Sequence, residues 1–232
     1  MDIIAVIPAR GGSKRIPKKN IRLFYDKPII AYTIEAAIDS NIFSKVIVST
    51  DDPEIAIISK NYGAEIPFLR DSSIADEFTP VSLVTLDVLN RLELQGTTVK
   101  TVAQLMANCP LRDTNDIIQS YEHFTQMNAN SQISVTRYGW LNPWWAMTLD
   151  KSNKLIPVFQ DQMKKRSQDL PELFCPSGAV WWIKSDTLKR EKTFHCLNRI
   201  GWELPWTHAI DIDTEEDWKM AEFIMKWSSE LQ

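Results

Sequence analysis

The sequence predicts an α/β fold: an open, mostly parallel Rossmann-like sheet with helices on both faces and a small β-rich insertion. Two observations carry this prediction. Short β-branched apolar runs alternate with amphipathic, helix-period segments up to about residue 127. The alternation then breaks into short, turn-punctuated runs near residue 131 and resumes at about residue 178. A chain of 232 residues suits one such domain, spanning 1–232, with an insertion at about 135–175.

The elements follow in order. "IIAVI" (3–7) is continuously apolar and β-branched, as in a strand buried on both faces. "KPIIAYTIEAAIDS" (27–40) repeats apolar positions at helical spacing, with Pro28 suited to a first turn. "KVIVST" (45–50) reads as a strand, and "DPEIAIISKNYG" (52–63) as a helix with Asp52 as N-cap, Pro53 at its first position and Gly63 as its stop. "EIPFL" (65–69) is expected to be a strand, 80–93 a helix, 101–106 a strand and 114–127 a helix. From 131, short strands separated by Asn-Pro and Lys-Ser-Asn turns are expected to form the insertion, which carries Trp140, Trp144 and Trp145. "GAVWWIK" (178–184) and "HAIDIDT" (208–214) are read as further strands, and 215–227 as a closing helix. No internal repeat or low-complexity segment interrupts the pattern.

The bulk charge excludes some functions. With 26 Lys and Arg against 30 Asp and Glu, the formal net charge is -4, unsuited to general nucleic-acid binding. Cys109, Cys175 and Cys196 are widely spaced and form no CxxC pair, so neither a disulfide framework nor a zinc site is expected and a reducing cytoplasm fits. The apolar run at the N-terminus is too short for a signal peptide or membrane span, and no later run approaches the required length.

Against that background "IPARGGSKRIPKKN" (7–20) stands out, with five cationic side chains, two glycines and no carboxylate. It follows a predicted strand and leads towards a helix, the usual position of a phosphate site in such sheets. Gly11 and Gly12 would let backbone N–H groups approach an anion, while Arg10, Lys14 and Lys19 would neutralise phosphate oxygens. A solvated basic turn is the simpler alternative. Neither GxxxxGK[ST] nor GxGxxG occurs here, so a P-loop and a nicotinamide fold are both unsupported. The second charged feature is "AIDIDTEEDW" (209–218). On a strand, Asp211 and Asp213 would share one face and could hold a hard cation such as Mg²⁺, whereas helix capping would use Asp213 or Thr214 and leave Asp211 unexplained.

Taken in order, "IPARGGSKRIPKKN", "DKPIIAYTIEAA", "VIVSTDDPEIA", "GAEIPFLR", "CPLR", "SGAVWWI" and "IDIDTEEDW" resemble the acylneuraminate cytidylyltransferases, the CMP-sialic acid synthetases. The resemblance covers nearly the whole chain and is weakest between about 130 and 165. It implies that CTP and a nine-carbon 2-keto sugar acid react to give a CMP-sugar and pyrophosphate. It also implies a Mg²⁺ cofactor and a homodimer joined through the tryptophan-bearing insertion. Carried over by motif, Arg10, Gly11, Ser13 and Asn20 bind the nucleotide, with Arg70, Thr79 and Ser82 near it. Lys14 and Lys19 steady the leaving pyrophosphate, and Asp211 and Asp213 are the catalytic metal ligands.

Family members read Leu-Gln-Pro-Thr-Ser-Pro-Leu-Arg where this chain has "QLMANCPLR", and their glutamine contacts the sugar. Met106 stands at that position and cannot make the hydrogen bond. An apolar wall there suits a deoxygenated bacterial nonulosonic acid of pseudaminic or legionaminic type better than N-acetylneuraminic acid. Asn108, Arg166 and Gln168 are the other candidate sugar contacts, the last two alternatively part of a solvated charge run. Cys109 has no base beside it in sequence and reads as a packing residue, and His208 as structural. The alternatives are an eight-carbon, Kdo-like acceptor and a catalytically silent nucleotide-binding scaffold.

Overall fold

The computed structural model describes residues 3–139 and 141–230, so Trp140 lies outside the described residues. Its strands are β1 (Ile3–Pro8), β2 (Leu23–Phe24), β3 (Lys27–Pro28), β4 (Lys45–Ser49), β5 (Thr101–Gln104), β6 (Ser131–Arg137), β7 (Met147–Leu149), β8 (Leu155–Pro157), β9 (Phe174–Lys184) and β10 (Ile200–Glu203). The α-helices are α1 (Ile29–Asp39), α2 (Pro53–Asn61), α3 (Val81–Leu94), α4 (Thr114–Gln126), α5 (Ser185–Glu191) and α6 (Glu215–Glu230).

Six strands form the main sheet in the order β10-β6-β9-β5-β1-β4. All its pairings are parallel except those of β9, which runs antiparallel to both β5 and β6. The two-residue period of β1 splits its side chains between two cores. Ala5 and Ile7 pack with Ile30, Ile34 and Trp182, while Ile4 and Val6 pack with Val88, Leu89 and Leu188. Helices α1 and α4 thus cover one face, and α3 and α5 the other. A third core joins Ile16 of the cationic loop to Ile212 and to Trp218 and Ala221 of α6. The apolar face of the last helix therefore holds the first loop in place.

Several expectations change in detail. Residues 65–69 make one bridge, Ile47 with Glu65, because Pro67 has no N–H to extend the ladder. Pro28 sits at the N-cap of α1, one position before its first turn. The run 131–137 belongs to the main sheet as β6, and the chain leaves that sheet only between Arg137 and Phe174, where β7 and β8 form a hairpin. No strand is formed at 208–214. Asp52 does cap α2, accepting from Glu54 N–H at 2.7 Å, and Gly63 ends that turn with φ +93°.

Candidate active site

The loop after β1 is held by its own polar residues. Gly11 N–H donates to Asp51 Oδ1 at 3.0 Å, and a Cβ on Gly11 would lie 2.7 Å from Asp52 Oδ2. Only glycine allows that approach. Asn20 is buried and donates to the Arg10 carbonyl at 3.0 Å, closing the loop on itself. Lys18 takes a left-handed conformation, φ 52°, and pairs with Glu54 at 2.6 Å. At the end of β4, Arg70 is buried with its guanidinium on Ser49, donating to the hydroxyl at 3.2 Å and to the carbonyl. Burial lowers its pKa, with Asp51 pulling against that shift.

These groups open onto a cavity of about 600 Å³ at the carboxyl ends of β1, β4 and β5. Arg10, Lys14, Arg15, Lys19 and Arg70 line it, against Asp76, Glu77 and Asp213. Five cationic groups against three acidic ones leave a positive surplus suited to an anion. Lys14 pairs with Glu77 at 2.8 Å across the mouth, and that exposed pair can exchange for a ligand oxygen at little cost. Val81, Val84, Phe78, Met106 and Ala107 give the cavity an apolar wall.

The two aspartates are anchored differently. Asp213 accepts from Lys19 Nζ at 2.9 Å and pairs with Arg15 at 2.8 Å. Partial burial raises its pKa, but Lys19 and Arg15 outweigh this and hold the carboxyl below its ordinary range. Asp211 keeps solvent access, yet its carboxyl is tucked against the protein, accepting from Cys109 Sγ at 2.6 Å and Gly178 N–H at 3.2 Å. Desolvation pushes its pKa up despite those bonds, and the Asp213 charge adds to the rise. Cys109 is thus more than packing. Its partner lies 102 residues away, out of reach of any local sequence signal, and the same desolvation raises the thiol pKa strongly.

Ten predicted residues line this one cavity: Arg10, Ser13, Lys14, Lys19, Asn20 and Arg70, together with Thr79, Met106, Asn108 and Asp213. Gly11 shapes the loop behind it. Ser82 is buried on α3, where its hydroxyl accepts the Phe194 N–H at 3.3 Å, and it does not line the cavity. Gln168 lines a separate cavity of about 440 Å³ with Arg137 and Tyr138, and exposed Arg166 pairs with Asp169 at 2.8 Å. Arg15, another of the loop's five cationic residues, meets Asp213. Asp76 and Glu77, at the mouth, carried no motif. His208 pairs with Asp116 at 2.7 Å, away from the cavity lining.

A cationic loop closing over the carboxyl ends of parallel strands, facing a carboxylate on a distant loop, defines a nucleotide-binding α/β protein built for phosphate chemistry. A family model described as "Cytidylyltransferase" matches residues 4–167. Pseudaminic acid cytidylyltransferase from Campylobacter jejuni is 34% identical over 230 residues, covering 99% of both chains. CMP-N,N'-diacetyllegionaminic acid synthase from Legionella pneumophila is 32% identical over 239 residues, again covering 99% of both. A solved structure of CMP:2-keto-3-deoxy-manno-octonic acid synthetase complexed with CTP has a TM-score of 0.72 at 14% identity, covering 98% of this chain and 100% of that one, which speaks to the fold. The chain belongs to the cytidylyltransferase family.

Proposed function

We propose that this cytidylyltransferase activates a nonulosonic acid with CTP, giving a CMP-sugar and pyrophosphate, for bacterial surface glycan synthesis in the cytoplasm. The observation that carries the reading is the single cavity that unites the cationic loop, Asp213 and the Met106 wall. The 34% and 32% identical relatives named for pseudaminic and legionaminic acids support the same substrate class. Among the described residues no helix is long and apolar enough to cross a membrane.

In this reading Arg10, Lys14 and Lys19 bind the triphosphate, Asn20 keeps their loop closed, and Arg70 fixes the nucleotide end of the cavity. The sugar's anomeric hydroxyl attacks the α-phosphorus, the bond to the β-phosphate oxygen breaks, and pyrophosphate leaves onto the lysines while the hydroxyl proton passes to solvent. Catalysis by this chain is positioning plus electrostatic stabilisation, with no covalent intermediate.

Asp211 and Asp213 suit Mg²⁺ chemically. Both offer hard oxygens, and desolvation, with the Asp213 charge adding to it, disfavours the charged form of Asp211, which a cation would relieve. When bound, Mg²⁺ would polarise the α-phosphate and lower the pKa of the attacking hydroxyl. The sugar reading rests on Met106 and Asn108, since Gln168 lies at another cavity and Arg166 is engaged by Asp169. A homodimer joined through the 138–173 segment is part of the same proposal. There Leu149 and Leu155 are 66% and 63% exposed on the β7–β8 hairpin, and Trp145 and Val158 extend the patch.

The test is pyrophosphate release from CTP and Mg²⁺ with a panel of pseudaminic, legionaminic, N-acetylneuraminic and Kdo-type acids. Turnover with a nonulosonic acid is expected. Turnover with the eight-carbon acid alone would move the acceptor, and no release with any acid would refute the enzymatic reading.

A further inference from the structure

Arg112 is 1% exposed, yet among the described residues no carboxylate lies within ion-pair distance of its guanidinium. Burying an unpaired guanidinium is costly, and its Nε has no hydrogen-bond partner at all. Burial lowers its pKa, and Cys109, Asp116, Asp113 and Asp211 offset this only from a distance. A fold that carries such a charge must use the remaining two nitrogens well.

One leads to the backbone of Met106 and the other to the strand beside it. Nη2 donates to Thr33 Oγ1 at 2.7 Å, and that hydroxyl donates onward to the Met106 carbonyl at 3.3 Å. Nη1 donates to the Ala179 carbonyl on β9 at 3.0 Å. The residue before it, Gly178, accepts the Met106 N–H at 3.2 Å and donates to Asp211. The Met106 carbonyl therefore connects to the guanidinium through Thr33, and the Met106 N–H bonds the residue next to the one the guanidinium holds on β9. Thr33 lies on α1, the helix that the cationic loop leads into, so the relay ties the nucleotide side of the cavity to its apolar wall.

We infer that Arg112 and Thr33 are positioning residues that fix where the Met106 wall stands relative to the nucleotide loop, and thereby set discrimination among sugar acids. The inference rests on the reading that Met106 faces the sugar. Arginine's planar fork reaches Thr33 and β9 at once, which a single ammonium cannot do in the same geometry.

Thr33→Val keeps the side-chain shape and removes the hydroxyl relay. Its expected effect is a rise of about five- to tenfold in KM for the sugar acid, with KM for CTP within about twofold and a changed preference between two sugar acids. Thr33→Ser restores the wild-type values, and Arg112→Lys reproduces the split seen with valine. A crystal structure of Thr33→Val is expected to show the 105–109 turn displaced while residues 10–20 stay in place. Equal changes in both KM values, no recovery with serine, or an unmoved Met106 backbone would each overturn the inference. Wild-type protein inactive with every sugar acid would instead refute the functional reading, and the crystal structure would still decide the positioning claim.

Discussion

Gly178 touches both the apolar wall and the carboxylate proposed to hold the metal, so Gly178→Ala probes the centre of the site with one methyl group. A Cβ there would lie 2.7 Å from Met106 Cγ, 3.3 Å from Met106 Cβ and 3.1 Å from Asp211 Oδ1. Real contacts of this kind are longer, so Met106 must swing away and the Asp211 carboxylate must shift. Overpacking of this type costs about 1–3 kcal/mol, which for a domain of this size lowers Tm by roughly 2–12 °C. The effect on turnover should be larger than the effect on folding. Displacing reacting groups by about 1 Å can cost on the order of 100-fold in rate, so kcat/KM for the sugar acid should fall by about that factor. CTP affinity should stay within about twofold, because the triphosphate is assigned to residues 10–20 on the other side of the cavity. Pyrophosphate release, calorimetric CTP binding and thermal melting read the three effects separately. Near-normal turnover, or equal loss of CTP binding and turnover, would show that Gly178 and its neighbours do not face the reacting sugar.

Asp211→Ala should abolish turnover, by about 100-fold or more, while CTP binding remains measurable by calorimetry; unchanged turnover would remove Asp211 from the metal site. Met106→Gln should raise activity on N-acetylneuraminic acid by about tenfold relative to the preferred substrate, read as a ratio of kcat/KM values; no change with any sugar would remove Met106 from the pocket. His208→Asn should destabilise the protein mainly at acid pH. The hydrogen bond to Asp116 raises the His208 pKa above 6.5, so its stabilisation is fully present below that value and lost as pH rises through the folded-state pKa. The Tm difference from wild type should be about 1–4 °C near pH 6 and close to zero near pH 9. An equal difference at both would mean that the histidine acts through packing alone.

Much of this architecture was legible because buried strands and amphipathic helices leave strong periodic signals. β1, β4 and β5 are shielded on both faces, the first two as largely apolar runs, and the cationic loop follows β1. The 208–214 segment shows where periodicity misleads. Ile212 is buried while Asp211 keeps solvent access, so the apolar-polar alternation is real, but Ile212 N–H bonds to the Asn108 carbonyl, not to a neighbouring strand. Alternation reports one-sided burial and not the ladder itself. β10 and α5 were missed for the opposite reason, being short, with "IGWE" at the sheet edge and "SDTLKRE" mostly polar. Asp213 on Arg15, Cys109 on Asp211 and Arg112 behind Met106 each depend on segments brought together only by folding. The resemblance could place the aspartates in one site, but not say which cation or thiol holds each of them.

The central claim is that the cavity between residues 10–20 and Asp213, and not the one beside Gln168, receives the nucleotide. A crystal structure of the complex with CTP tests it most directly. The triphosphate is predicted to contact Arg10, Lys14 and Lys19, with the nucleoside towards Arg70. CTP bound against Arg137, Tyr138 and Gln168, with the cationic loop unengaged, would contradict the account.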